Sequence, residues 1–357
     1  MKKVLLITDV TFWERSSGNR TRIYSLIQFL AANVQLTVVC TGPVPADIET
    51  FLSENFKAEF FVLEKTKYLS SNGYGRRLKA FLKDKHFDTV IIEYIHSSYF
   101  LNFLIDDVQI ILDAHDIISE RIEEFKKFNY GGDTYELSKE TEAEIFSVYD
   151  HVMVLCQPDY EAVTAMAGQG KALLCPHTVE PCMHPVRKEV KNIIFIASAY
   201  LPNKDAINWF IANCWPHISA KYNVQLSVYG TVAGSLDIQG QQQIACIGFM
   251  PDIDQIYSDA DIVINPVRFG AGLKIKNLEA LGHGVPLVTT THGARGMEAG
   301  ANNAFLVADD AGAFIESMES LINSVQLRTK LSKAANKFVM DNFSAERCFQ
   351  PLIDVMG

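Results

Sequence analysis

Asn265–Thr291 reads NPVRFGAGLKIKNLEALGHGVPLVTTT. The stretch has the pattern of a buried strand, a glycine turn, a helix and a second buried strand. Gly270-Ala271-Gly272 occupies the turn, where a backbone must adopt positive φ or pass close to a neighbour. The helix expected over Leu273–Leu281 directs its free N–H groups and the positive end of its dipole to that point. Lys274 and Lys276 fall in its first turn, where cations are unfavourable unless an anion lies between them. A phosphate or diphosphate is the anion that fits. A strand–helix–strand unit of this kind belongs to a parallel sheet covered on both faces, so the fold class is α/β.

The same rhythm extends in both directions. Further strands are expected at Asn192–Ala197, Gln225–Tyr229, Ile244–Gly248, Ile262–Pro266 and Pro286–Thr290, with helices at Asp205–Ile218, Ile253–Ser258 and Ala311–Asn323. The first half repeats the alternation. Its strands are expected at Val4–Thr8, Gln35–Cys40, Glu59–Leu63, Thr89–Glu93, Ile110–Asp113 and His151–Leu155, and its helices include Arg20–Ala32, Arg76–Lys85 and Ser138–Tyr149. A strand-like Lys171–Leu174 precedes Pro176, Pro181 and Pro185, a cluster that cannot hold regular structure and reads as a linker. The expected organisation is a Rossmann-like domain over 1–182, a second over 183–340, and a terminal helix over 341–357 packing back toward the first. Two doubly wound domains facing across a cleft would bind ligands at the carboxyl ends of both sheets.

Composition narrows the function. A net charge of -10 on 357 residues argues against nucleic acid as a partner. The seven cysteines form no C-x-x-C pair, so neither a disulfide framework nor a zinc site is expected, and a reducing cytoplasm fits. The opening MKKVLLITDV has too short an apolar run for a signal peptide or a membrane span. No G-x-G-x-x-G follows the first strand, which speaks against a nicotinamide dehydrogenase.

Other candidates are weighed against plainer readings. Lys276 and Glu279 share a helix face, and an exposed pair there would contribute only about 0.3–0.5 kcal/mol; such a pair needs no double glycine ahead of it. Ser16-Ser17-Gly18-Asn19-Arg20 opens the first long helix, as a phosphate-facing turn would or as an ordinary capped start would. His115, in Asp113-Ala114-His115-Asp116, ends a strand on the ligand side or is a satisfied core histidine. Glu93 and His96 follow another strand and are candidates for an acceptor side; Glu93 could equally cap the next element. Arg76, Arg77, Lys79, Lys83 and Lys85, after a flexible-looking Ser70–Gly75, form a solvated face or a peripheral contact with an anionic membrane.

Three segments resemble a known family. AYLPNKDAINWF (Ala199–Phe210) is similar to a Pro-Asn loop and helix. IGFMPDIDQIYSDADIVINPVRFGAGLKIKNLEALGHGVPLV (Ile247–Val288) is similar to the nucleotide-sugar half of bacterial polysaccharide transferases. CPHTVE (Cys175–Glu180) sits at the family's linker but departs from it at His177 and Thr178. Together they resemble the GT-B glycosyltransferases, in particular glycosyltransferase family 4. The resemblance implies retaining transfer from a nucleotide diphosphate sugar as co-substrate, with no cofactor and no obligatory metal, to a glycan, lipid-linked or protein-linked acceptor. It places Glu279 on the donor ribose, Lys276 and Lys204 on the diphosphate, Gly18 beside the diphosphate with Asn19, and His115 on the transferring sugar. Ala199 replaces a family arginine, for which Arg268 or Lys274 could substitute. Ala271 replaces the first glutamate of an E-x7-E pair, leaving the donor open, and Leu273 supplies a backbone amide at the helix start. A nucleotide-sugar epimerase and a silent nucleotide-sugar-binding protein share the expected architecture.

Overall fold

The computed structural model describes residues 1–15, 17–65, 67–104, 107–131, 135–238 and 242–357. The chain divides into two compact units. One comprises Met1–Glu123, Gly132–Pro176 and Ala345–Gly357, the other Glu124–Gly131 and His177–Ser344.

The first unit holds β1 (Lys3–Thr8), β2 (Gln35–Cys40), β3 (Ala58–Val62), β4 (Thr89–Glu93), β5 (Gln109–Asp113), β6 (His151–Val154) and β7 (Ala172–Leu174). All pair in parallel, in the order β3-β2-β1-β4-β5-β6-β7. Central strands read as unbroken apolar runs because helices cover both faces, and every residue of β4 is buried. Leu5, Ile7, Ile92, Leu112 and Val152 share one core with Leu78 and Phe146 from the helices. Burying each such side chain contributes about 1.5–3 kcal/mol. The helix Ala345–Met356 also belongs here. Its Phe349 lies 5.4 Å from Phe29 on the helix Gly18–Asn33, and the Val355 carbonyl accepts from Gln109 at the start of β5.

The second unit repeats the topology. β8 (Asn192–Ile196), β9 (Gln225–Tyr229), β10 (Ile244–Gly248), β11 (Ile262–Asn265), β12 (Leu287–Thr289) and β13 (Leu306–Val307) lie in the order β10-β9-β8-β11-β12-β13. Phe195, Ile264 and Val288 from the sheet pack with Phe210, Phe314 and Met318 from the helices. Among the described residues, no helix is long and apolar enough to cross a membrane.

Several local expectations change. The helix expected over Asp205–Ile218 is two helices, Leu201–Asn213 and Trp215–Lys221, because Pro216 has no N–H to donate and fits only a first turn. The basic helix runs Ser71–Leu82, so Ser70–Gly75 is not a loop: Ser70 accepts from the Gly73 amide and caps it. Gly75 is required inside that helix, since a Cβ there would stand 2.1 Å from the Phe103 ring. β13 has too few residues to show any period. The proline segment is tied to the second unit by amides of Val179, Cys182 and His184 donating to the carbonyls of Phe343, Gly282 and His283, and that unit begins at His177. Glu124–Gly131 also joins the second unit, where Phe125, Phe128 and Tyr130 surround the buried Phe269 at 5.3, 4.6 and 5.1 Å between ring centroids.

Candidate functional site

In the second sheet the strand order reverses between β8 and β11, the position at which an open α/β sheet leaves a crevice at its carboxyl edge. The helix Leu201–Asn213 follows β8, and the helix Ile275–Gly282 follows β11. Neither has a side-chain cap at its start; the amides of Asn203 and Asn277 turn back onto the carbonyls of Tyr200 and Lys274, while those of Leu201, Ile275 and Lys276 have no partner among the described residues and face a ligand. Gly270 and Gly272 adopt φ of 108° and 70°. A Cβ on Gly270 would also press on Pro202 Cγ at 3.3 Å. Gly270→Ala is therefore expected to destabilise the second unit by about 1–3 kcal/mol. Urea unfolding measures this, and an unchanged midpoint would mean the loop relaxes without strain.

Lys276 joins the two helix starts. Its Nζ donates to Asn203 Oδ1 at 2.7 Å and lies 5.2 Å from the Phe195 ring centroid. Burial first, and Lys274 second, push its pKa down to about 7, with Glu279 opposing them. An ammonium poised to be neutral at such a place is what an incoming anion would recharge. Lys204, in the first turn of its helix, has no side-chain partner among the described residues. Glu279 accepts from the buried Tyr257 hydroxyl at 3.3 Å. The two residues that were to replace the missing arginine are already engaged. Arg268 forks onto Asp205 at 3.0 and 2.6 Å, and Lys274 Nζ folds back on the carbonyls of Ala271 and Gly272 at 3.0 and 2.8 Å. Ala199 donates its amide to Thr231 Oγ1 and carries no charge to the site.

A buried polar network, unread in the sequence, fixes this loop. Asn265 Nδ2 donates to Asn277 Oδ1, Asn277 Nδ2 to the Gly293 carbonyl, and Thr289 Oγ1 to the Asn265 carbonyl, all within 2.7–2.8 Å. Thr290 Oγ1 donates to the Val267 carbonyl and accepts from the Gly293 amide. Asn265 Nδ2 is met by a side chain and the other side-chain donors by backbone carbonyls of neighbouring connections, so the loop geometry is set before any ligand arrives. His292 stands beside Gly270. Burial and Lys274 lower its pKa to about 4, so the ring is neutral, and Nε2 is buried without a hydrogen-bond partner. Only its position after a strand end could have marked it.

The first unit carries its own cluster where β1, β4 and β5 end. Arg22 is fully buried and forks onto Asp113 at 3.0 and 3.1 Å. His115 adopts a φ of 64°, stacks on Tyr94 at 4.0 Å, and meets Glu93 Oε2 through Nε2 at 2.8 Å. Glu93 is wholly buried, and burial beside Asp113 raises its pKa despite the bond to His115. Glu93 thus positions His115 and offers no surface to an acceptor, whereas His96 is exposed and contacts Asp9 at 2.9 Å. Glu93, Asp113 and His115 have the composition of a cation site, yet the guanidinium already fills Asp113. Asn19 hydrogen-bonds Tyr94, and Gly18 starts its helix. Ser16 lies outside the described residues.

The family model described as glycosyl transferases group 1 matches residues 190–324. This chain carries a group 1 glycosyltransferase domain. A 44.6 kDa protein in the cps region of Klebsiella pneumoniae is 21% identical over 395 aligned positions that cover 99% of each chain. The crystal structure of TarM superposes with a TM-score of 0.78 at 12% identity, covering 100% of this chain and 99% of that one. HepE from Anabaena, in complex with UDP-glucose, superposes at 0.72 with 14% identity, covering 100% and 99%. The chain is thus a transferase of GT-B fold.

The group 1 domain contains both helix starts, the Gly270–Gly272 turn, Lys204, Lys276 and Glu279. His115, Glu93 and the Phe125–Tyr130 aromatics lie outside it. Arg77 of the basic helix pairs with Glu64 at 2.7 Å, while Arg76, Lys79 and Lys83 are exposed.

Proposed function

We propose that this glycosyltransferase moves a sugar from a nucleoside diphosphate sugar to a glycan or lipid-linked acceptor in bacterial surface polysaccharide synthesis, with retention of anomeric configuration. One observation carries the reading: two uncapped helix starts, bridged by Lys276 and Asn203, converge with Lys204 at the switch point of the group 1 domain. That HepE holds UDP-glucose and that a relative is encoded in a cps region support it.

The difficult step is departure of a diphosphate from the anomeric carbon. The amides at Gly272 and Leu273, with Lys276 and Lys204, take up charge on the leaving oxygens, and each such donor typically lowers the barrier by about 3–4 kcal/mol. Glu279, oriented by Tyr257, accepts from the ribose hydroxyls. His115, fixed by Glu93 and Tyr94, binds hydroxyls of the transferred sugar. The exposed Arg76, Lys79 and Lys83 hold the enzyme at an anionic membrane where a lipid-linked acceptor resides.

Calorimetry with UDP-, GDP-, dTDP- and ADP-sugars tests the reading, with transfer to acceptor as the second readout. Conversion of donor without acceptor would instead favour an epimerase. A proton balance accompanies binding. Burial favours neutral Lys276, so the unfolded chain takes up this proton at a higher pH than the folded one, and the unliganded protein loses stability as pH falls from 10.5 to about 7, with no further loss below. A bound diphosphate favours the ammonium and raises that pKa. At pH 8, binding is expected to take up close to one proton, and affinity falls as pH rises above 7. Titrations in buffers of different ionisation enthalpy count the proton; no uptake would place the phosphates away from Lys276.

A further inference from the structure

We propose that Cys182, His184 and His283 form a binding site for a divalent transition metal of the zinc class. Cys182 and His184 are two apart on the segment before β8, which forms neither helix nor strand, and their ligand atoms converge on one point. Their amides donate to the carbonyls of Gly282 and His283 at 3.0 and 3.1 Å, which holds the segment against the carboxyl end of the helix Ile275–Gly282. His283 is the residue that ends that helix. The thiol sulfur and one nitrogen of each imidazole all lie within 4.8 Å of one another.

The geometry of the two histidines suits a shared ion. His184 Nε2 stands 3.2 Å from His283 Nδ1, with ring planes 7° apart and centroids separated by 5.2 Å. Two imidazole nitrogens on one tetrahedral zinc, each at about 2.0–2.1 Å, are about 3.3 Å apart. The other nitrogen of His283 faces Asp254 Oδ1 at 3.6 Å, the kind of outer carboxylate that orients a ligating imidazole. Tyr257 stacks on the same ring at 4.6 Å. Two imidazoles and a thiolate select zinc, cobalt or nickel over magnesium or calcium. Cys182 is exposed and His184 partly so, which leaves a fourth position to water.

A metal here fastens the segment to the far end of the helix whose first turn carries Lys276. It stands apart from the donor site and does not rest on the proposed reaction. A simple N–H···N bond between the imidazoles is the competing account, and metal binding separates the two.

The test titrates the full chain with Co2+ and follows the d–d bands and the thiolate-to-cobalt charge-transfer band, then displaces the ion with Zn2+. The expected result is one Co2+ per chain. Cys182→Ser should lose the charge-transfer band, and His184→Ala should weaken Co2+ binding at least tenfold. Cys246, the other exposed cysteine, is the control: Cys246→Ser should leave the band intact. Absence of bands in the full chain overturns the proposal, as do bands that survive Cys182→Ser and His184→Ala or vanish with Cys246→Ser. Donor affinity, measured on the same variants, reports separately on the proposed reaction.

Discussion

Lys276→Met is expected to lower the transfer rate by about a hundredfold or more while leaving the second unit as stable as before. The activity loss follows from the position of Nζ between two helix starts, where one preorganised donor to a departing oxygen is worth about 10²–10³ in rate. The unchanged stability follows from burial. The ammonium is held at a desolvation cost, and methionine fills the same channel beside Phe195 without it. Asn203 Oδ1 loses a partner, at about 1 kcal/mol, which offsets part of that relief. Asn203 keeps its own donation to the Ser198 carbonyl at 3.1 Å, so the turn stays anchored. Single-turnover transfer rates and thermal melts, with and without nucleotide, separate the two effects. An unchanged rate would remove Lys276 from the mechanism, and collapse of the melting transition would make it a structural residue.

What could be read without coordinates was local chemistry. The glycine turn, the lysines at a helix start and the unbroken apolar strands depend on neighbours in sequence, so both sheets and the Gly270–Gly272 turn with its helix were visible. Partners far apart in sequence were not. Arg268 resembled a spare cation until Asp205, 63 positions earlier, took both faces of its fork. The Phe125–Tyr130 aromatics looked like part of the first domain, because nothing in their spacing shows that they close on Phe269. Asn265, Asn277 and Thr289 have ordinary residue types at ordinary positions, and only their convergence makes them a scaffold. The C-x-H pair at Cys182 carries too little information until His283 stands beside it. Pro216 was the exception. Its signal for a helix break was local and legible, and the apolar period across it masked the break.

Arg22→Met should destabilise the first unit by about 3–5 kcal/mol, because it strips the guanidinium from a buried carboxylate. Arg22 and Asp113 are both fully buried, and the guanidinium also donates to the carbonyls of Cys175 and Pro176 at 2.8 and 3.1 Å. A single group thus ties β5 to the chain that leaves β7. Without it the buried Asp113 loses its guanidinium partner beside Glu93, whose Oε1 has no hydrogen-bond partner among the described residues. Domains carry a net stability of only about 5–15 kcal/mol, so a loss of this size brings the unit near unfolding. Hydrogen exchange at the amides of β4, β5 and β6 reads the first unit alone and should accelerate by about two to four orders of magnitude. Arg22→Met combined with Asp113→Leu removes both charges together, and it should recover much of the loss, since an apolar pair of similar volume can replace a buried ion pair. The recovered protein should still transfer poorly. Asp113 Oδ2 lies 4.0 Å from His115 Nε2, and removing it alters the field on the ring that Glu93 holds in an unusual backbone conformation. Recovery of stability together with full activity would instead make the Arg22–Asp113 pair a purely structural fastening.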